Sequence, residues 1–306
     1  MRHLARRIAV LLTLAPLALT ACGSSPGGPS AQAKGAEILN LSAIPDQDPQ
    51  RLQRQYDAVS TYLAKKLGVE VHYVPVTDYT ASVAGFRRGD LDLVFFGGLT
   101  GVQARLQVPG AEPIAQRDID AQFRTVFIAN TAAGIQPFQD VAGLKALAGH
   151  TFTFGSQSST SGRLMPQYFL KQAGMKLEDL KGQAGFSGSH DTTIKLVEAG
   201  TYETGALSSA VWDARTKDGQ VDTTKVREVF RTPTYHDYHW LIRPDVDQRL
   251  GSGFTSRVKD ALLAIDGTDP RQKEILDLFG CKRFVPARTG DYQQIEAIGR
   301  DSGVIK

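Results

Sequence analysis

Cysteine is scarce: Cys22 and Cys281 are the only two in 306 residues, so no disulfide framework holds this fold. Charge of one sign is also lacking once the chain is divided. Three of the 35 basic residues, Arg2, Arg6 and Arg7, precede Cys22 with no acid among them, leaving 32 basic against 32 acidic residues. A balance of that kind excludes sequence-independent nucleic-acid binding, which rests on excess Lys and Arg. An anionic ligand would have to be held by placed donors and local dipoles rather than by a global field. Beyond the run from Ile8 to Leu19 no apolar stretch approaches the length of a membrane-spanning helix. No Gly-x-Ser-x-Gly elbow joins a strand to a helix, and no glycine-rich loop ends in Gly-Lys-Ser/Thr, so neither a serine hydrolase nor a nucleotide-hydrolysing loop is indicated. The 42% hydrophobic content is too high for a disordered chain and is ordinary for a globular one.

What is present first is an address. Arg2, Arg6 and Arg7 followed by the apolar run read as an export signal over residues 1–21. Leu19-Thr20-Ala21-Cys22 resembles a bacterial lipobox, which implies that Cys22 is lipidated and that residues 22–35, rich in Gly, Ser and Pro, form a flexible tether. The expected location is the extracytoplasmic face of the cell membrane, periplasm or cell surface, with the lipid anchor as the sole membrane contact. Cys281, near the end of an apolar helical pattern, is then an unpaired thiol expected to pack as a small hydrophobe.

From Glu37 onward strand and helix signals alternate, the pattern of an α/β protein with largely parallel sheets. Ile38 to Ile44 reads as a buried strand. Asp48 is a helix N-cap with Pro49 at the first helical position, and apolar residues at Leu52, Tyr56, Val59, Leu63 and Leu67 mark a helix that Gly68 closes. A strand over 69–76 follows. A second pass begins at Thr151 to Phe154, runs through a Ser-rich loop and enters a helix from Leu164 to Gln172. The segments opening at Tyr79 and at His190 share a register, a short helix and then a Gly followed by a strand, which makes Tyr79 and His190 counterparts in two like halves. Strand-like crossings at 124–129 and 229–233 would join the halves, so that the first also takes the C-terminal segment.

Ser158-Ser159-Thr160-Ser161, between a strand and a helix, is the most specific internal signal. Four hydroxyls in a row at the positive end of a helix dipole suit a compact oxyanion better than simple capping. His190 offers another donor at a helix start and Tyr79 a phenolic one. Gly97 permits close backbone approach after the strand ending at Phe96, with Thr100 as a further donor. Thr234 to Trp240 is rich in rings that suit a cleft wall. Its His236 and His239 are expected to point to opposite faces and to share no metal ion. Ser159, His190 and Asp237 also name the parts of a hydrolase triad, but nothing activates the serine, and the chain reads as no enzyme.

Taken together, 42–48, 74–79, 95–105 and 158–162 resemble the substrate-binding lipoproteins of ABC transporters in the phosphate, phosphite and phosphonate group, closest to the branch described as putative selenate-binding proteins. The resemblance runs from about Ile38 to Val285. It implies a type II periplasmic-binding-protein fold, two Rossmann-like lobes joined by a two-strand hinge, with residues 36–125 and 235–306 in one lobe and 126–234 in the other. It implies a monomer that binds a small oxyanion between the lobes and delivers it to an ABC permease and ATPase, with no cofactor. Ser159, Thr160 and Ser161 match the family's head-group loop, His190 its histidine and Tyr79 a tyrosine. Phe96 stands where the family has a second tyrosine. Asp237 matches an acidic position, which suits a protonated oxygen on the ligand better than a fully ionised sulfate or selenate. The competing reading is a lipid-anchored sensor or interaction module using the same cleft.

Overall fold

The computed structural model describes residues 38–306; the export signal, Cys22 and the tether lie outside the described residues. The chain runs β1 (Ile38–Ala43), α1 (Pro49–Leu67), β2 (Glu70–Tyr73), α2 (Tyr79–Arg88), β3 (Leu93–Phe96), α3 (Gly98–Gln107), β4 (Glu112–Arg117), then β5 (Thr125–Asn130), β6 (Phe152–Phe154), α4 (Met165–Gln172), β7 (Gly185–Phe186), α5 (His190–Glu198), β8 (Thr204–Ser208), α6 (Ser209–Lys217) and β9 (Val226–Arg231). It ends with β10 (His239–Ile242), α7 (Val246–Leu250), α8 (Phe254–Leu263), α9 (Pro270–Phe279), β11 (Phe284–Pro286) and α10 (Gln293–Asp301).

Local chemistry sets the ends of the helices as the sequence requires. The Asp48 carboxylate accepts the Gln50 and Arg51 N–H groups at 3.0 and 3.1 Å, Pro49 opens α1, and Gly68 closes it in the left-handed region at φ 72°. Leu52, Tyr56, Val59, Leu63 and Leu67 are all buried, the face that the helical spacing marks out. The strand after Gly68 is shorter than expected, four residues rather than eight, because β2 is the edge of its sheet and the chain leaves it toward Pro75.

Two sheets form, in the orders β11-β4-β10-β3-β1-β2 and β7-β6-β8-β5-β9. Within each, the βαβ strands are parallel, as in β2-β1-β3 and β7-β6-β8. One antiparallel strand enters each sheet from the other: β5 runs against β8, and β10 against β3. The two orders are therefore the same arrangement repeated, which accounts for the like halves in the sequence. The crossings lie a few residues from where the sequence placed them. β5 and β9 are strands of the second sheet; the chain actually passes between sheets over 118–124 and 232–238. The two passages pair at Phe123 and Tyr235, whose N–H groups each donate to the other's carbonyl at 2.9 Å. Beside them Arg117 makes a buried two-pronged ion pair with Asp120, its shortest contact 2.6 Å, and lies 4.7 Å from the Tyr238 ring centroid. The C-terminal strands β10 and β11 lie in the same sheet as β1 to β4.

Cys281 lies just past the end of α9 at Gly280 and packs half-buried against the hydrophobic core, as a small hydrophobe would. Burial still pushes its thiol up to about 12, so it is inert as a nucleophile.

Candidate ligand-binding site

Helix N-termini from both halves converge where the sheets face each other. Most are capped by their own sequence. Asp78 accepts the Ala81 N–H of α2 at 2.8 Å, Ser189 caps α5 and Ser208 caps α6. Before α4 the chain makes a π-helical turn, Thr160–Leu164, and the Ser159 hydroxyl accepts the Gly162 N–H at 2.9 Å. Helix α3 is the exception. Its N-cap is Gly97, which has no side chain to offer.

Two remote oxygens take that role. Asp237, from the second passage, accepts the Gly98 N–H on Oδ1 at 2.9 Å, and Thr160, from the other half, accepts the Leu99 N–H on its hydroxyl at 2.9 Å. A Cβ on Gly97 would lie 3.2 Å from the Thr160 hydroxyl and 3.4 Å from Asp237 Oδ1, so only glycine leaves both in place without displacing one. Protein oxygens thus stand where the oxygens of a bound anion would meet the positive end of α3. Asp237 is 0% exposed, and its Oδ2 has no partner among the described residues. Burial pushes its carboxyl up to about 7, against the opposing pull of the Gly98 and Thr160 bonds. Near neutrality it therefore exists in both charged and protonated forms.

A second chain of bonds runs beside the first. His190 is fully buried, and its Nδ1 accepts the Ser208 N–H at 3.4 Å. The proton consequently sits on Nε2, which donates to the Tyr238 hydroxyl at 3.2 Å, and that hydroxyl donates to Asp46 Oδ2 at 2.8 Å. Burial lowers the His190 pKa to about 4 and raises that of Asp46 to about 6. His190 is therefore neutral at pH 7, a directional hydrogen-bonding group and not a cation. Its backbone N–H donates to Asp46 O at 2.9 Å, and the Asp48 N–H donates to Asp191 Oδ2 at 2.7 Å, so the 45–48 turn docks directly on the start of α5.

The structure brings Tyr79, Ser159, Thr160, His190 and Asp237 together. Tyr79 is buried with its hydroxyl unpartnered among the described residues and near Ser159, while the His190 ring lies against Gly162. Other expected residues are engaged elsewhere. The Phe96 ring packs edge-on against Phe86, 5.6 Å between centroids, in the core. Thr100 donates to Gly97 O within its own helix, and Ser158 is half-buried with its N–H on Ser156. Ser161 contributes its carbonyl to Thr125, whose hydroxyl lies 2.7 Å from that of Tyr235. His236 and His239 do not point to opposite faces. Both rings lie against Tyr292, at 6.0 and 4.0 Å, because 236–238 is not regular strand. Burial takes His239 down to about 3, and the described residues hold no cluster of three or more His, Cys, Asp or Glu placed for a metal ion.

Asp46 and Tyr238 were missed as site residues. Asp46 sits in Pro45-Asp46-Gln47-Asp48, where a turn explains every polar residue, and only its 4% exposure marks it out. Tyr238 belongs to the ring-rich segment, but sequence alone does not select it over Tyr235. A cavity of about 1320 Å³ forms an open groove along the passages; Asp46, Arg117 and Tyr238 border it, whereas Thr160, His190 and Asp237 do not. The polar cluster is closed between the halves.

Comparison with known proteins bears on what such a cluster is for. The sequence model of the family described as "ABC transporter, phosphonate, periplasmic substrate-binding protein" matches residues 41–292. The chain is 47% identical over 271 residues to the probable ABC transporter phosphite binding protein PhnD1 of Prochlorococcus marinus (strain MIT 9301), covering 88% of this chain and 91% of that protein. It is 26% identical over 241 residues to the phosphate-import protein PhnD of Mycolicibacterium smegmatis, covering 74% and 73%. Among solved structures it is similar to PhnD1 of P. marinus in complex with methylphosphonate, with TM-score 0.86, 47% identity and coverage of 88% and 99%. At 15% identity the aliphatic sulphonate binding protein SsuA of Escherichia coli shares the fold, with TM-score 0.58 and coverage of 88% and 94%.

Proposed function

Because this chain belongs to the periplasmic phosphonate-binding family of ABC transporter substrate-binding proteins, transport components and not enzymes, we propose that it captures phosphite or a small phosphonate between its halves and hands it to a permease driven by an ATPase subunit. The carrying observation is α3, whose N-terminus has no cap of its own and is served by Thr160 and Asp237 from two other parts of the chain. An oxyanion entering there accepts the Gly98 and Leu99 N–H groups. Tyr79, Ser159 and Thr160 supply further donors, His190 gives its one N–H to Tyr238 and so fixes that hydroxyl beside them, and Ser158 and Ser161 shape the loop that presents them. Gly97 gives the close approach, while Phe96 and Thr100 act by packing and by holding the α3 turn.

Asp237 sets the protonation state. Methylphosphonate retains a P–OH hydrogen near neutrality and phosphite does so in its monoanionic form, and Asp237 Oδ2 accepts it; fully ionised sulfate or selenate presents only lone pairs to that carboxylate. This supports phosphonate-like ligands over selenate. Micromolar affinity needs roughly 8 kcal/mol, and one hydrogen bond to a charged group gives roughly 1.5–3. Several donors from both halves must act at once, so closure is part of binding. The lobes correspond to 36–125 with 235–306, and to 126–234, a division supported by where the chain passes between sheets. Cys22 carries the lipid that holds the chain outside the cytoplasmic membrane; among the described residues no helix is long and apolar enough to cross one. Cys22→Ser should release the protein from the membrane fraction.

The decisive experiment titrates methylphosphonate, phosphite, phosphate, sulfate and selenate calorimetrically into the full chain. Preference for ligands with a P–OH hydrogen supports the reading; a preference for selenate or sulfate, or no saturable binding of any, overturns it.

A further inference from the structure

We propose that Arg51, Arg54, Lys195 and Arg215 form a second anion site, separate from the polar cluster, that takes a compact inorganic oxyanion and bridges the two halves. These side chains line a cavity of about 300 Å³ together with Asp48 and Asp191. Arg51 and Arg54 come from α1 of one half, three positions apart on one helix face, and Lys195 and Arg215 from α5 and α6 of the other. Four cations thus face two carboxylates, and both carboxylates are already committed. Asp48 Oδ1 accepts the Gln50 and Arg51 backbone N–H groups. Asp191 takes Arg215 Nε at 2.6 Å and Nη2 at 3.0 Å, and also the Asp48 N–H.

Two guanidinium donors remain. Arg215 is 5% exposed, and its Nη1 is buried without a partner among the described residues; so is Nε of half-buried Arg51. A buried charged donor with no acceptor is costly, and two guanidinium groups held toward one cavity repel. Burial, and after it that repulsion, lowers the Arg51 pKa. A tetrahedral oxyanion held by the accessible ends of the side chains that line the cavity neutralises the excess positive charge and suits the planar fork of arginine. None of the residues of the Thr160–Asp237 cluster lines this cavity, so the inference does not rest on the ligand proposed for that cluster. Since cations from both halves converge, occupancy favours the arrangement in which the halves touch.

The probe is sulfate, titrated calorimetrically into the full chain at constant ionic strength. The comparison is with the Arg51→Gln/Arg54→Gln double variant and with Thr160→Ala. Arg54 is exposed and Arg51 half-buried, so the double variant should melt with the unaltered chain. Saturable sulfate binding that weakens about tenfold or more in the double variant, with Thr160→Ala within about twofold of the unaltered chain, is the expected result. Equal sulfate binding by the double variant, its loss in Thr160→Ala alone, or no saturable uptake by the unaltered chain overturns the site. Methylphosphonate titration separates this from the transport reading: the double variant should bind it normally, whereas failure of the unaltered chain to bind it would count against transport and leave the sulfate result intact.

Discussion

Replacing Asp237 with asparagine removes the one ionisable group that accepts from the N-terminus of α3 and keeps its shape. The carboxyl is fully enclosed and titrates near 7 instead of 3.8, because burial outweighs its two bonds. That displacement corresponds to about 4 kcal/mol. A raised acid pKa means that the folded chain holds the proton more tightly than the unfolded one. Its stabilising effect is therefore complete below 3.8 and is lost as pH rises through 7. The amide never ionises and still accepts the Gly98 N–H. Asp237→Asn should thus melt with the unaltered chain at low pH and increasingly above it at high pH. With about 2–4 °C per kcal/mol for a chain of this order, the gap at high pH reaches roughly 10 °C. Circular-dichroism melts in ligand-free buffer across pH 5 to 8.5 measure it. Parallel curves for the two proteins over that range would refute the assignment of a buried, proton-sharing carboxyl.

The same variant addresses selectivity. In the proposed site an ionised Asp237 would accept from a P–OH group and oppose an anion that has none, a difference of roughly 1.5–3 kcal/mol, or about 10- to 150-fold. The amide can donate to an oxygen of either ligand, so the ratio of methylphosphonate to sulfate affinity at pH 7.5, measured in the Arg51→Gln/Arg54→Gln background so that sulfate reports on this cluster alone, should fall by that factor. An unchanged ratio leaves Asp237 with no part in discrimination.

Three further outcomes follow from particular contacts. Thr160→Ala removes the acceptor of the Leu99 N–H and, on the proposed reading, a donor to the ligand; methylphosphonate affinity measured by calorimetry should drop at least about tenfold with the circular-dichroism spectrum unchanged. Gly101→Ala places a Cβ 2.2 Å from Nε2 of the buried His239, so the ring or α3 must shift, and urea midpoints should fall by an amount equivalent to about 1–3 kcal/mol. Arg117→Met strands the Asp120 carboxylate beside the first passage; urea unfolding should show a loss of about 3–5 kcal/mol, partly recovered by adding Asp120→Asn.

Helix ends and buried faces were legible because they depend on neighbours in sequence. Asp48, Pro49 and Gly68 fix α1 whatever surrounds it, and the five apolar positions between them state which face is buried. The repeat was legible for the same reason, since Tyr79 and His190 each open a helix of one βαβ unit. The passages were displaced because β5 and the residues before it are equally extended, and only pairing with β8 and β9 decides which belong to a sheet. Site membership was legible where several donors crowd one loop, as at Ser159 to Ser161, and illegible where a residue is ordinary locally. Asp46 is a turn aspartate until Tyr238, 192 positions away, donates to it.

The arrangement at α3 ties these levels together. A helix capped by its own serine or aspartate, as α2, α5 and α6 are, presents donors already answered from within its own sequence. With Gly97 at the cap, the Gly98 and Leu99 N–H groups are answered only when the second passage and the opposite half are in position. Separation of the halves must withdraw Thr160 and leave the Leu99 N–H to solvent or to an anion. An oxyanion that arrives there restores the acceptor and, through its remaining oxygens, gives the Ser159–Thr160 loop a reason to return. On the proposed reading, closure is coupled to ligand by a helix terminus that the sequence leaves unfinished. Gly97→Ser tests the coupling: a self-supplied cap crowds the Thr160 hydroxyl, 3.2 Å from the added Cβ. It should weaken methylphosphonate binding about tenfold without lowering the melting temperature of the ligand-free chain by more than a few degrees; full retention of affinity would mean that α3 needs no borrowed acceptor.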